Sequence, residues 1–141
     1  MEKVLEYTMI PMDRLLDAIG DPFEIHRITR EMVQHSLRFG TYELAHEAYG
    51  REISAVERDP EWHAQRVAYL VQYGWNDPIE IDVGIPSLGY VPYPLIDGHH
   101  RTCAAIIRGD KEIRAEVAGA IDYAQQLFGV DCSLYGECDA G

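Results

Sequence analysis

The 141-residue chain has the length of one domain, and 47% hydrophobic with 26% charged residues is the composition of a folded globular protein, not a disordered one. Twelve Lys and Arg against 24 Asp and Glu leave a formal net charge of −12, a field that repels phosphates and disfavours stable nucleic-acid binding. No run of about 18 apolar residues occurs, so no membrane span is expected. Met1–Ile10 carries Glu2 and Glu6 and lacks the apolar centre of a signal peptide, so the chain reads as cytoplasmic. Its three cysteines form no CxxC pair; a zinc site is not expected, no metal ligands are assigned, and the thiols read as free.

The β-branched, alternating start of Val4–Leu16 predicts a strand that Pro11 ends, then a short helical turn over Met12–Ile19, broken at Gly20-Asp21-Pro22. Thr29 caps a helix over Arg30–Phe39 that stops at Gly40, with Met32, Ser36 and Phe39 on one face. Thr41 caps a second helix over Tyr42–Tyr49, with Leu44, Ala45 and Ala48 together and Gly50 as its stop. Asp59-Pro60-Glu61 is a helix start, and Ala64, Val67, Ala68 and Val71 follow at the spacing of a buried stripe, which predicts a helix over Glu61–Tyr73.

Ile79-Glu80-Ile81-Asp82-Val83 alternates as a strand with one wet face. Ser87–Pro94 reads as a loop or irregular hairpin, Pro94–Ile96 as a short strand, and Arg101–Arg108 as a helix ending at Gly109. Glu112–Val117 is a strand, and Ile121, Ala124 and Phe128 mark a last helix closed by Gly129. The succession of elements predicts an α+β domain over residues 1–129, with an acidic, mobile C-terminal tail over 130–141.

The segment richest in chemistry is Asp97-Gly98-His99-His100-Arg101-Thr102. A glycine turn lets backbone approach a ligand, a helix start offers unpaired N–H groups, and an arginine fork matches phosphate oxygens. From Pro94 to Ala118 the four basic residues Arg101, Arg108, Lys111 and Arg114 balance the four acids Asp97, Asp110, Glu112 and Glu116. A locally neutral pocket in an acidic chain suits a small phosphorylated ligand carried with a divalent metal better than a polyanion.

Asp97–Ala105, followed by Gly109 and the strand from Glu112 to Val117, resembles the core of the ParB/sulfiredoxin-like superfamily. Met9–Leu16 resembles that family's opening strand and turn, and the helix before Gly74 with Asp77-Pro78-Ile79 its approach to the central strand. The resemblance implies a small mixed sheet with packed helices, and sets residues 29–58 apart as a helical insertion.

It also implies that Gly98, His99, His100, Arg101 and Thr102 contact the phosphates of a nucleotide (ATP, ADP or CTP) held with Mg²⁺. Catalytic roles would fall to His100, Asp97 and Glu24, in phosphoryl transfer or nucleotide hydrolysis. The family's sulfiredoxin cysteine position is His99 here, so that activity is not expected, and only 23 residues, acidic ones, follow Ala118, so DNA partition by this chain alone is not expected. Two alternatives stand beside this reading: an acidic, non-catalytic accessory or inhibitor that binds a basic protein partner, and a ParB-like nuclease.

Overall fold

A computed structural model describes residues 7–43, 59–85, 87–90 and 93–132. Its elements are an α+β set, and the chain divides into two compact units that interleave in sequence.

The first unit takes residues 1–20, 77–98 and 110–141 and is built on a sheet. Strands β1 (Thr8–Pro11), β2 (Ile79–Asp82), β5 (Leu95–Asp97) and β6 (Glu112–Ala118) lie in the order β1-β6-β2-β5. β1 runs antiparallel to β6, β6 parallel to β2, and β2 antiparallel to β5, so the sheet is mixed. The alternation in the sequence sets the faces: Ile79 and Ile81 of β2 and Ile113, Ala115 and Val117 of β6 are buried, whereas Glu80 and Glu116 are exposed. Register slips between Glu80 and Ile81, where β2 meets β5.

Helix α1 (Met12–Ile19) buries Met12, Leu15 and Ile19, and α5 (Ile121–Phe128) buries Ala124 and Phe128. The region expected as an irregular hairpin holds one: β3 (Gly84–Ile85) pairs antiparallel with β4 (Gly89–Tyr90). Packing continues past α5, because Cys132 is fully buried and its N–H donates to Gln125 Oε1 at 3.2 Å. The rest of the expected tail lies outside the described residues.

The second unit, residues 21–76 and 99–109, is helical. A 3₁₀ turn (Pro22–His26) leads to α2 (Arg30–Phe39), α3 (Pro60–Tyr73) and α4 (His99–Arg108). Side-chain caps start three of these elements: Asp21 accepts from Phe23 N, Thr29 from Met32 N, and Asp59 from Trp62 N. The core is Phe23, Ile28, Val33, Ala64, Val67, Ala68, Leu70, Cys103 and Ala104.

Three expectations are corrected here. The buried face of α2 is Val33 and Ser36, while Phe39, in the last turn before Gly40, is 61% exposed. Tyr42 and Glu43 are not helical, and the remainder of the expected Tyr42–Tyr49 helix, with Leu44, Ala45 and Ala48, falls outside the described residues. Helix α4 begins at His99, two residues earlier than the sequence suggests, so His99 and His100 belong to its first turn. Among the described residues no helix is long and apolar enough to cross a membrane.

Candidate functional site: a histidine cluster in the helical unit

His26, the last residue of the 3₁₀ turn, is held there by backbone geometry. Arg27 closes the turn in the left-handed region (φ 60°, ψ 37°), its N–H directed at the carbonyls of Phe23 and Glu24. A side chain longer than glycine is costly in this conformation, so the surrounding packing must impose it. His63 rides on the buried stripe of α3, one and two turns before Val67 and Leu70, and is 1% exposed. His100 comes from the first turn of α4 and is half-buried.

The three rings meet. His26 stacks on His63 with centroids 3.7 Å apart and planes 13° apart, and on His100 at 4.6 Å and 16°. His63 Nδ1 lies 2.8 Å from His100 Nε2. Trp62 sets its ring edge-on to both His63 and His100, at 5.1 and 5.9 Å, and His99 approaches His26 edge-on at 6.0 Å.

One ring nitrogen from each of His26, His63 and His100 lies within 4.8 Å of the others. Burial, with the charge that His63 and His99 would carry, lowers the His26 pKa to about 3. Burial also lowers His100 well below its ordinary value, reinforced by His26, His63, Arg66 and His99. His26 and His100 are therefore neutral imidazoles near neutral pH, each ring able to act as donor, acceptor or ligand.

The residues singled out in the sequence are distributed as follows. His99 and Arg101 are half-buried on the first turn of α4, and Thr102 in the same turn is fully buried. His100, expected at a phosphate, is drawn into the histidine cluster. Glu24 is exposed on the 3₁₀ turn, two residues before His26.

Gly98 and Asp97 belong to the sheet unit. Gly98 has φ 115°, and a Cβ there would come within 2.4 Å of Ile79 Cγ2, so close packing against β2 already requires a glycine. Asp97 is exposed; it pairs in register with Glu80, which pairs in turn with Glu116, so three exposed carboxylates occupy neighbouring positions across β5, β2 and β6. A groove of about 360 Å³ in the helical unit is lined by Glu31, Met32, His35, Glu61 and Ala64, with no residue of α4 among them.

Sequence reasoning missed His26 and His63. His63 left one usable signal, a histidine in phase with the apolar stripe of α3. His26 left none, because the turn that carries it has no periodicity. The chain matches no family model, no curated protein and no solved structure.

Proposed function

We propose that the chain binds a nucleotide or similar small phosphorylated ligand, with the phosphates seated on the first turn of α4. The observation that carries this reading is that α4 begins at His99, which puts the Arg101 guanidinium in the first turn, at the positive end of the helix dipole. The basic side chain of Arg66 acts on His100 in that turn, a contribution that favours an anion there. The resemblance of Asp97–Ala105 to the ParB/sulfiredoxin-like superfamily supports the same ligand class and extends it to phosphoryl transfer or nucleotide hydrolysis. Mg²⁺ arriving with a nucleotide would be held by phosphates and water, since the imidazoles gathered beside this turn do not suit it.

Thermal unfolding with ATP, ADP, CTP and GTP, each with and without Mg²⁺, tests the proposal. A ligand present at about 100 times its dissociation constant stabilises the folded state by about 2.7 kcal/mol, a shift of several degrees. One nucleotide should raise the midpoint of the wild type and leave Arg101→Ala unmoved. A wild type indifferent to all four ends the proposal.

A second reading, an acidic accessory protein that binds a basic partner, is favoured by the row of Asp97, Glu80 and Glu116 on the exposed sheet face. It predicts a salt-sensitive complex that Arg101→Ala leaves intact and Glu80→Lys weakens. Capture of a basic partner that is equally strong at high salt, or unaffected by Glu80→Lys, goes against it.

A further inference from the structure

We propose that His26, His63 and His100 form a three-imidazole site for a divalent transition-metal ion of borderline softness, Zn²⁺ foremost. The three residues come from three separate elements, the 3₁₀ turn, α3 and α4, and their ring nitrogens gather within 4.8 Å. An all-imidazole donor set selects Zn²⁺, Co²⁺, Ni²⁺ or Cu²⁺ over Mg²⁺ and Ca²⁺, which take oxygen ligands. Three histidines with a fourth position left to a small oxygen ligand is an arrangement zinc adopts in its open sites.

A second observation, independent of the ring distances, points the same way. His26 is 7% exposed, and its Nδ1 is the one buried side-chain nitrogen or oxygen among the described residues that has no hydrogen-bond partner. A buried imidazole nitrogen left unsatisfied bears its full desolvation cost, and such an atom calls for an explanation such as an ion. A metal in the cluster supplies it, directly or by re-pairing the rings.

Ligand lone pairs lie in the ring plane, and the three rings now stack at 13° to 23° to one another. Metal capture therefore turns the rings about χ2, a torsion with broad wells, and exchanges the hydrogen bond between His63 and His100 for two metal bonds. The nearby Arg66 opposes a bare cation and favours an anionic fourth ligand, a hydroxide or a phosphoryl oxygen. The site does not depend on nucleotide binding at the first turn of α4.

The test uses the full chain without an affinity tag, stripped by a chelator and titrated with Zn²⁺ and Co²⁺. One equivalent of metal should bind. The Co²⁺ form should show visible d–d bands of nitrogen ligation without thiolate charge transfer. X-ray absorption of the Zn²⁺ form should show an imidazole shell at about 2.0–2.1 Å. His26→Gln and His100→Gln should each weaken binding by at least about tenfold, whereas His35→Gln, an exposed histidine of α2 outside the cluster, should not. Absence of stoichiometric binding by the wild type overturns the proposal. So does undiminished binding in both cluster variants, and so does a shell of sulfur or of oxygen alone around the bound zinc, a result that needs no variant to fold.

Discussion

His63 Nδ1 of α3 stands 2.8 Å from His100 Nε2 of α4, a pairing made across 37 residues of sequence. At that distance one ring donates and the other accepts, so a second proton between the facing atoms would break the pair. Burial holds His100 well below its ordinary pKa, and burial with His63 and His99 holds His26 at about 3. An unfolded chain takes up these protons at about pH 6.5.

Below that pH the unfolded state thus binds more protons than the folded one, and stability falls as pH drops from about 6.5 toward about 3. Urea unfolding of the metal-free protein should give a lower midpoint at about pH 5 than near neutrality, and His26→Phe should narrow the difference. Equal midpoints in the wild type at the two pH values would refute this.

The parts of the fold set by local chemistry were readable in advance. Asp59 and Pro60 start α3 as their cap and first-turn chemistry requires, and the alternation at Ile79–Ile81 and Ile113–Val117 places the buried faces of β2 and β6. Of the histidine cluster, His100 alone was singled out in the sequence, because the cluster is a tertiary event: His26 sits in an aperiodic turn fixed by the left-handed Arg27, and it meets residues 37 and 74 positions further along only through packing. The exposure of Phe39 follows from the same limit, since helix phase alone does not say where the neighbouring helix stops covering it.

Gly98 was read as a place for ligand approach, and its packing against Ile79 yields a separate prediction. Gly98→Ala combines a positive φ with a Cβ 2.4 Å from Ile79 Cγ2 and 2.7 Å from Ile79 Cβ. The strain of the conformation alone costs about 1–3 kcal/mol, and the overlap adds to it. Gly109→Ala shares the positive φ (79°) but meets nothing within 4 Å, so it should cost only about 1 kcal/mol. Denaturant midpoints should therefore fall much further for Gly98→Ala. A double variant, Gly98→Ala with Ile79→Val, should not recover, because Val retains both clashing atoms. Similar losses at the two glycines would remove the packing account of Gly98.

Asp59 Oδ1 accepts from Trp62 N at 2.9 Å and so satisfies one open donor at the start of α3, the helix that carries His63. Asp59→Ala should destabilise by about 1 kcal/mol, and Asp59→Asn by less, since Asn caps nearly as well. Thr29→Ala, which removes the 3.1 Å bond to Met32 N at the start of α2, should cost a similar amount. The two sites share no partner, so their costs should add in the double variant. A midpoint unchanged by Asp59→Ala would show that the cap contributes nothing.

Cys103 and Cys132 are both fully buried. Burial and the nearby Asp21 push the Cys103 thiol far up, against a smaller opposing effect of Arg30, and burial with Asp131 pushes Cys132 to about 11. The thiolate is the reactive form, so at about pH 8 neither cysteine should react with a disulfide reagent in the native protein. Cys138 lies outside the described residues, so the measurement belongs in a Cys138→Ser background, where two thiols should appear only on adding denaturant.

The same shifts act on stability at alkaline pH. From about pH 9 upward the unfolded chain loses thiol protons that the folded chain keeps, so the folded state binds more protons and stability falls toward about pH 11. Cys132→Ala removes one of those protons but also leaves a small cavity, so the informative quantity is the slope of stability against pH, not its level. That slope should be shallower in Cys132→Ala than in the Cys138→Ser parent. Rapid labelling of native protein, or parallel slopes in parent and variant, would mean that Cys132 is not sheltered as its burial requires.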